Sequence, residues 1–308
     1  MRLTSRERRS GLRLSRDAKA LQDLFHESSW ARAFLRAAVG LTPPPTATLF
    51  HVPGAEAYFT RPETRTLSRA ARRRLRKRPI APDFWSHAHG SCLVYARVLS
   101  LLEPERNAPL PARILDFGCG AGAQLRALAR NRAVKDACGV EVSPLFQKLY
   151  DQWFERIREV PPVWRAGRCR VVGGRFPADP VVVRAIEGPF DLAIAKNVLK
   201  RGCLRPGRGL QPHTALGMSS AAFLRAIRGS LRPGGQFAVY NLYPTSTTRT
   251  PWAWRGPPFA RRTWSRAGFE LLHYEVDDSV AARAIARALR WPNAIGTSAA
   301  FTLARRSD

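Results

Sequence analysis

The stretch Ile114 to Gly122, ILDFGCGAG, joins a short apolar run to a loop with glycine at every second position, Gly118, Gly120 and Gly122. An acid, Asp116, stands two residues ahead of the first of them. The apolar run and the amphipathic segment that follows, with Leu125, Leu128 and Ala129 on one face, predict a strand, RILDF, running into a loop that opens a helix over 122–131. Glycine lets such a loop turn tightly and bring its backbone against a ligand, because it has no Cβ and tolerates positive φ. The spacing is G-x-G-x-G after an acid, not the G-x-G-x-x-G of a pyrophosphate-binding turn, so the ligand implied is not a dinucleotide.

The next apolar run, ACGVEV, ends beside a second acid, Glu141, whose carboxylate is suited to accept both hydroxyls of a ribose. In a parallel sheet both features lie at the carboxyl ends of neighbouring strands, where ligands bind. Together they point to a nucleoside carrying a cation. The rest of the chain from Asp83 onward alternates short apolar runs with amphipathic segments, the pattern of an α/β fold. FWSHAHGSCLVYARVLSLL is expected as a helix leading into the core. Ser143 and Pro144 form a capping signal for a helix that buries Leu145, Phe146, Leu149, Tyr150, Trp153 and Ile157. CRVVGG is a third strand, Asp179 and Pro180 open a helix, and FDLAIAK is a fourth strand. A helix carrying Phe223, Leu224, Ile227 and Leu231 precedes RPGG, expected as a turn that releases the fifth strand, QFAVYNLY. A helix at 260–267, the strand FELLHYEV, a helix at 278–290 and a strand at TSAAFTLA complete the series.

Residues 1–82 read differently, as a basic, mainly helical N-terminal extension with linker, ahead of a catalytic domain at 83–308. Leu21, Leu24, Phe25, Trp30, Phe34 and Leu35 supply its apolar anchors, and GLTPPPTATLF breaks the helix because consecutive prolines cannot continue one. The run SRAARRRLRKRP, Ser68 to Pro79, is a solvated helix or linker, with an RNA-gripping arm as the alternative. The chain has 51 Lys and Arg against 23 Asp and Glu, a formal charge of +28. Such a balance points to nucleic acid, yet only six of those cations are lysines, as codon bias in a GC-rich genome would also produce. No run approaches the roughly 18 uninterrupted apolar residues of a membrane span, and no signal peptide is evident. Five widely spaced cysteines without a metal spacing fit a reduced, cytoplasmic enzyme.

With LDFGCGAG, the acid of GVEVSP, FDLAIAKNVL and LRPGGQFAVY standing in order, residues 83 to 304 resemble the class I S-adenosylmethionine-dependent methyltransferases. The resemblance implies a Rossmann-like seven-stranded sheet with one antiparallel strand, flanked by helices, and S-adenosyl-L-methionine as cofactor. Carried over by position, Asp116, Gly118, Gly120 and Gly122 would hold its methionine part and Glu141 its ribose hydroxyls. The acid that the family often offers to adenine after the third strand is replaced by GGRFPAD, so backbone groups near Gly174 to Phe176 are expected to serve. Cys119 needs no catalytic role, because direct displacement forms no covalent enzyme intermediate. His87 and His89, two apart on a helix, cannot jointly hold a metal, and no metal is expected.

The acceptor should enter over the carboxyl ends of the first, fourth and fifth strands, which brings forward Lys196, Asn197, Tyr240 and Asn241. Asn197 is expected to orient the acceptor and Tyr240 to act as base or hydrogen-bond partner. Lys196 poses a difficulty: an ammonium ~6 Å from a sulfonium is repelled by roughly 3 kcal/mol at an effective dielectric near 20. It must turn away, be neutralised by a carboxylate, or face an anionic substrate, in which case Lys200 and Arg201 extend the anion site. The segment NLYPTSTTRTPWAWRGPPF reads as a lid or a long surface loop. The expected activity is methyl transfer to an O or N acceptor on a small molecule or peptide, an anionic one included. An RNA methyltransferase using the arginine-rich surface, or a non-catalytic cofactor-binding protein, are the alternatives.

Overall fold

The computed structural model describes residues 15–39, 84–120, 122–142, 168–186, 188–199, 218–244, 256–289 and 297–308. The basic run Ser68 to Pro79, the helix expected from Ser143, the Lys200 and Arg201 pair, and most of the expected lid lie outside these residues. So do the side chains of His87 and His89.

Seven strands form one sheet: β1 (Arg113–Phe117), β2 (Asp136–Glu141), β3 (Arg168–Gly173), β4 (Phe190–Lys196), β5 (Leu231–Pro244), β6 (Phe269–Asp277) and β7 (Thr297–Arg306). Their order is β3-β2-β1-β4-β5-β7-β6, with β7 antiparallel to both neighbours. The helices are α1 (15–22), α2 (Ser29–Val39), α3 (Phe84–Leu102), α4 (Ala123–Ala129), α5 (Pro180–Ala185), α6 (Ser220–Ser230), α7 (Arg261–Arg266) and α8 (Val280–Ala288). This is the α/β sheet that the resemblance implied. Strands β1, β2 and β4 are buried on both faces and read as nearly continuous apolar runs, whereas the edge strand β6 is largely exposed. The period of two still sorts them: Ile114, Leu192, Ile194, Ala238 and Tyr240 pack toward α2, α3, α4 and α8. Leu115, Ala193, Ala195, Phe237 and Val239 pack against the side chains of α6 and α7 on the other face.

Two local readings change. RPGG is not a turn ahead of β5 but a bulge within it: Leu231 already pairs with Phe190, and Gln236 pairs with Leu192. The extra residues loop out where Gly234 takes φ +70°. Helix α4 is buried all round, Gln124 and Arg126 included, because it sits beneath α2 and α3 instead of facing water.

The described part of the N-terminal extension belongs to the same core. Leu35, Phe34 and Trp30 of α2 are buried with α3 and α4, and Phe34 stacks on Tyr95 at 5.4 Å. Glu103, at the end of α3, fixes this helix: it accepts from the Ser28 and Ser29 hydroxyls at 2.6 and 2.5 Å and from the Ser29 and Trp30 N–H groups. These donors are otherwise orphaned at a helix start, and the bonds hold its carboxyl below the usual range despite desolvation, the largest opposing effect.

A second polar anchor ties α3 to the far half of the sheet. Arg97 donates twice to Asp277, at 2.8 and 3.0 Å, and the Tyr240 hydroxyl donates to the same carboxylate at 2.8 Å. Removing the acid strands a half-buried guanidinium and a buried hydroxyl. Asp277→Ala is expected to lower the free energy of unfolding by about 3–5 kcal/mol, and Tyr240→Phe by about 1 kcal/mol, as measured by urea denaturation.

Candidate cofactor and acceptor site

The site is built at the carboxyl ends of β2, β1 and β4, where register decides which side chains meet. Val140 and Ala195 both pair with Phe117, so Glu141 and Lys196 stand one residue further along, on either side of the exit of β1. All three of Asp116, Glu141 and Lys196 continue the rows that face α3 and α4. A carboxylate is thus flanked on one face by a second carboxylate and by an ammonium.

The loop that leaves β1 has the conformation its glycines permit: φ is +74° at Gly118, +59° at Gly120 and +71° at Gly122. Its backbone folds onto β2, with the Gly118 and Cys119 N–H groups donating to Val140 O at 2.8 and 3.2 Å. The Gly120 N–H donates to Glu141 Oε2 at 2.8 Å. A Cβ on Gly118 would come within 2.5 Å of Val198, which follows β4, whereas one on Gly120 would meet none of the described residues within 4 Å. Glycine is therefore demanded by packing at Gly118, and among the described residues Gly120 has open space beside it.

Asp116 has no exposure. Its Oδ2 accepts from Gln124 Nε2 at 2.6 Å, and the same nitrogen reaches Cys119 O at 2.7 Å. Asp116 Oδ1 has no hydrogen-bond partner among the described residues. Burial pushes its carboxyl up to about 6, against the opposing effects of Lys196 and the Gln124 bond. A buried acceptor without a donor is costly unless something supplies one, and this orphaned oxygen, the open space at Gly120 and the acid at Glu141 suit a cationic nucleoside.

Lys196 does not turn outward. It is 9% exposed, and its Nζ donates to Ser91 Oγ on α3 at 3.1 Å. Asn197 leaves β4 with φ +57°, a left-handed conformation that asparagine tolerates. Its N–H donates to Tyr240 O and its Oδ1 accepts the Leu242 N–H at 2.8 Å, so the side chain prolongs the β4–β5 ladder. Asn241 likewise donates to Leu199 O at 2.6 Å. Tyr240 is fully buried with its proton held toward Asp277, and desolvation and that acid push its pKa well up. The amide oxygen of Asn197 and the hydroxyl proton of Tyr240 are thus engaged within the protein, and for Tyr240 to act as a base its bond to Asp277 must change.

Sequence reasoning missed Gln124, Ser91 and Tyr95. Gln124 carried a faint signal, a polar residue on a short apolar helix right after the glycine loop. Ser91 and Tyr95, spaced four apart on α3, carried none until the helix was seen to cross the site. Gly139 was also missed: a Cβ there would meet Cys119 Sγ at 2.4 Å, so the Cys119 thiol packs on β2, and burial pushes it well above its usual pKa. After β3, the Gly174 N–H donates to Glu141 O at 3.0 Å and Asp179 caps α5 through the Val181 N–H. Among the described residues no cluster of three His, Cys, Asp or Glu side chains could hold a metal, and no helix is long and apolar enough to cross a membrane.

No protein-family model matches the chain, and no curated protein matches its sequence. Solved structures with a similar backbone include the cyclase SpnF, at 20% identity over 72% of this chain and 82% of that one, with a TM-score of 0.42. They also include the N-methyltransferase NodS from Bradyrhizobium japonicum, at 14% over 70% and 97%, with a TM-score of 0.40. Magnesium protoporphyrin IX methyltransferase from Synechocystis, solved with SAH bound, is 12% identical over 77% and 94%, with a TM-score of 0.41. Fold similarity at such identities does not carry substrate or activity. By strand order, a single reversed strand, and a glycine loop with an acid at the end of the neighbouring strand, the chain has the Rossmann-like α/β fold of the class I S-adenosylmethionine-dependent methyltransferases.

Proposed function

We propose that the chain is an S-adenosylmethionine-dependent methyltransferase acting on an O–H or N–H nucleophile of a small molecule or peptide. One observation carries this reading: three left-handed glycines stand between two carboxylates at the carboxyl ends of β1 and β2, and the buried acid, Asp116, keeps one oxygen without a donor. The cofactor would supply a methyl group on a positively charged sulfur that becomes a neutral thioether on transfer. Asp116 and the glycine loop would hold its methionine part, and Glu141 its ribose hydroxyls. Helix α3 covers this end of the sheet with Cys92 and Tyr95, both unexposed, and so keeps water from the reacting centre. Asn197 and Tyr240 serve as positioning residues, one fixing the exit of β4 and the other the Arg97–Asp277 pair. Lys196, on which an anionic acceptor would have rested, is directed to Ser91 and the carboxylates, which favours a neutral acceptor.

Incubation of the protein with methyl-labelled cofactor and a fractionated extract tests the reading. Label in a small-molecule or peptide fraction supports it, label in RNA overturns the acceptor class, and absence of cofactor binding overturns the whole. Glu141→Ala is expected to weaken binding of cofactor or its demethylated product about 10- to 100-fold, as loss of hydrogen bonds to a charged group would, in calorimetric titration.

Asp116 makes a second prediction, on stability. Its folded pKa of about 6 is above the ordinary 3.8 of an aspartate, so the proton is held more tightly in the folded state. That contribution to stability is full below the unfolded value and is lost as pH rises through the folded one. Asp116→Asn should therefore gain stability over the native chain as pH rises through that range, by up to about 3 kcal/mol, while losing cofactor affinity. Thermal melts across a pH series, paired with binding titrations, measure both.

A further inference from the structure

Lys196 is a buried cation to which the cofactor reading gives no task. Its ammonium is buried at the carboxyl end of β4, held by Ser91 Oγ at 3.1 Å, on the same sheet face as Asp116 and Glu141. The groups that face it come from every element around it. Asp116 comes from β1, Cys119 from the glycine loop, Glu141 from β2, and Ser91 and Cys92 from α3, with Tyr240 alongside on β5. Cys92 is held protonated, its pKa pushed up by burial to about 12, and the Tyr240 proton is committed to Asp277. The two carboxylates are therefore the anions that stabilise the ammonium, and they are the same two that the cofactor reading assigns to a cationic ligand.

Resting on that reading, we infer that Lys196 is the proton acceptor of the methyl transfer, made available as a neutral amine when the positively charged cofactor takes over its carboxylate partners. Two cations sharing this small, desolvated site repel each other, and of the two only the lysine can shed its charge. Burial already pushes its pKa below the ordinary lysine range, with Asp116 the foremost group opposing the fall. A lysine so placed is suited to act as a general base. In the transfer the acceptor gives its lone pair to the methyl carbon, the carbon–sulfur pair remains on a now neutral sulfur, and the acceptor's proton passes to Lys196 Nζ. The ammonium returns as the positive charge on sulfur disappears, so the charge of the site is unchanged through the reaction.

The experiment compares S-adenosylmethionine with its demethylated product, which lacks the sulfonium charge, by calorimetric titration near neutral pH in buffers of different ionisation enthalpy. The native chain should release roughly half to one proton on binding the cofactor and close to none on binding the product. Lys196→Met should bind both ligands without that difference in protons. Lys196→Arg, which cannot lose its charge, should bind the product normally and the cofactor about 10-fold or more weakly. Equal proton release with both ligands, or a difference that persists in Lys196→Met, overturns the inference and leaves the cofactor assignment standing. Failure of the native chain to bind either ligand overturns the assignment and the inference together.

Discussion

Asp116, one residue before the end of β1, is an unexposed carboxylate, and what surrounds it is the set of groups needed to keep it there. Desolvating a carboxylate costs several kcal/mol unless charge and hydrogen bonds offset it. Gln124 supplies one bond from α4, Lys196 supplies opposite charge from β4, and the glycine loop lets α4 start close enough for Gln124 to reach. One oxygen is left over. That oxygen is the point at which a cationic ligand would supply the missing partner.

Helix α3 connects this site to the rest of the fold. Ser91 and Cys92 lie over Lys196, Tyr95 lies over Asp116 and under Phe34 of α2, and Arg97 reaches Asp277 at the end of β6. The opposite ends of the parallel strands are closed by ion pairs: Arg113 and Arg170 converge on Asp136, and Arg232 meets Asp191 at 2.5 Å. Charge at the amino ends of the strands is therefore paired within the protein, although Asp136 Oδ1, like Asp116 Oδ1, is buried without a hydrogen-bond partner among the described residues. What distinguishes Asp116 is that its orphaned oxygen lies at the carboxyl ends, beside the glycine loop.

Much of this was legible in the sequence because local patterns carried it. The strands at RILDF, FDLAIAK and FELLHYEV, the helix at 84–102 and the cap at Asp179 follow from period, propensity and capping chemistry. The glycine loop was legible because left-handed φ has few other tenants. RPGG misled for the same local reason: the dipeptides of a turn and of a bulge are alike, and only the pairing of Leu231 with Phe190 separates them. Trp30, Phe34 and Leu35 were legible as apolar anchors of the N-terminal extension, but that they enter the core of the sheet domain depends on α3 and α4.

The sequence by itself determined the fold class, the loop and the two acids that flank it, because each depends on backbone geometry that a few neighbouring residues impose. Which way Lys196, Asn197 and Tyr240 point was decided only by tertiary structure. Their partners, Ser91, Leu242 and Asp277, lie 105, 45 and 37 residues away along the chain. No local pattern encodes a hydrogen bond over that distance, since it exists only once the sheet has set its register and α3 has been laid across it.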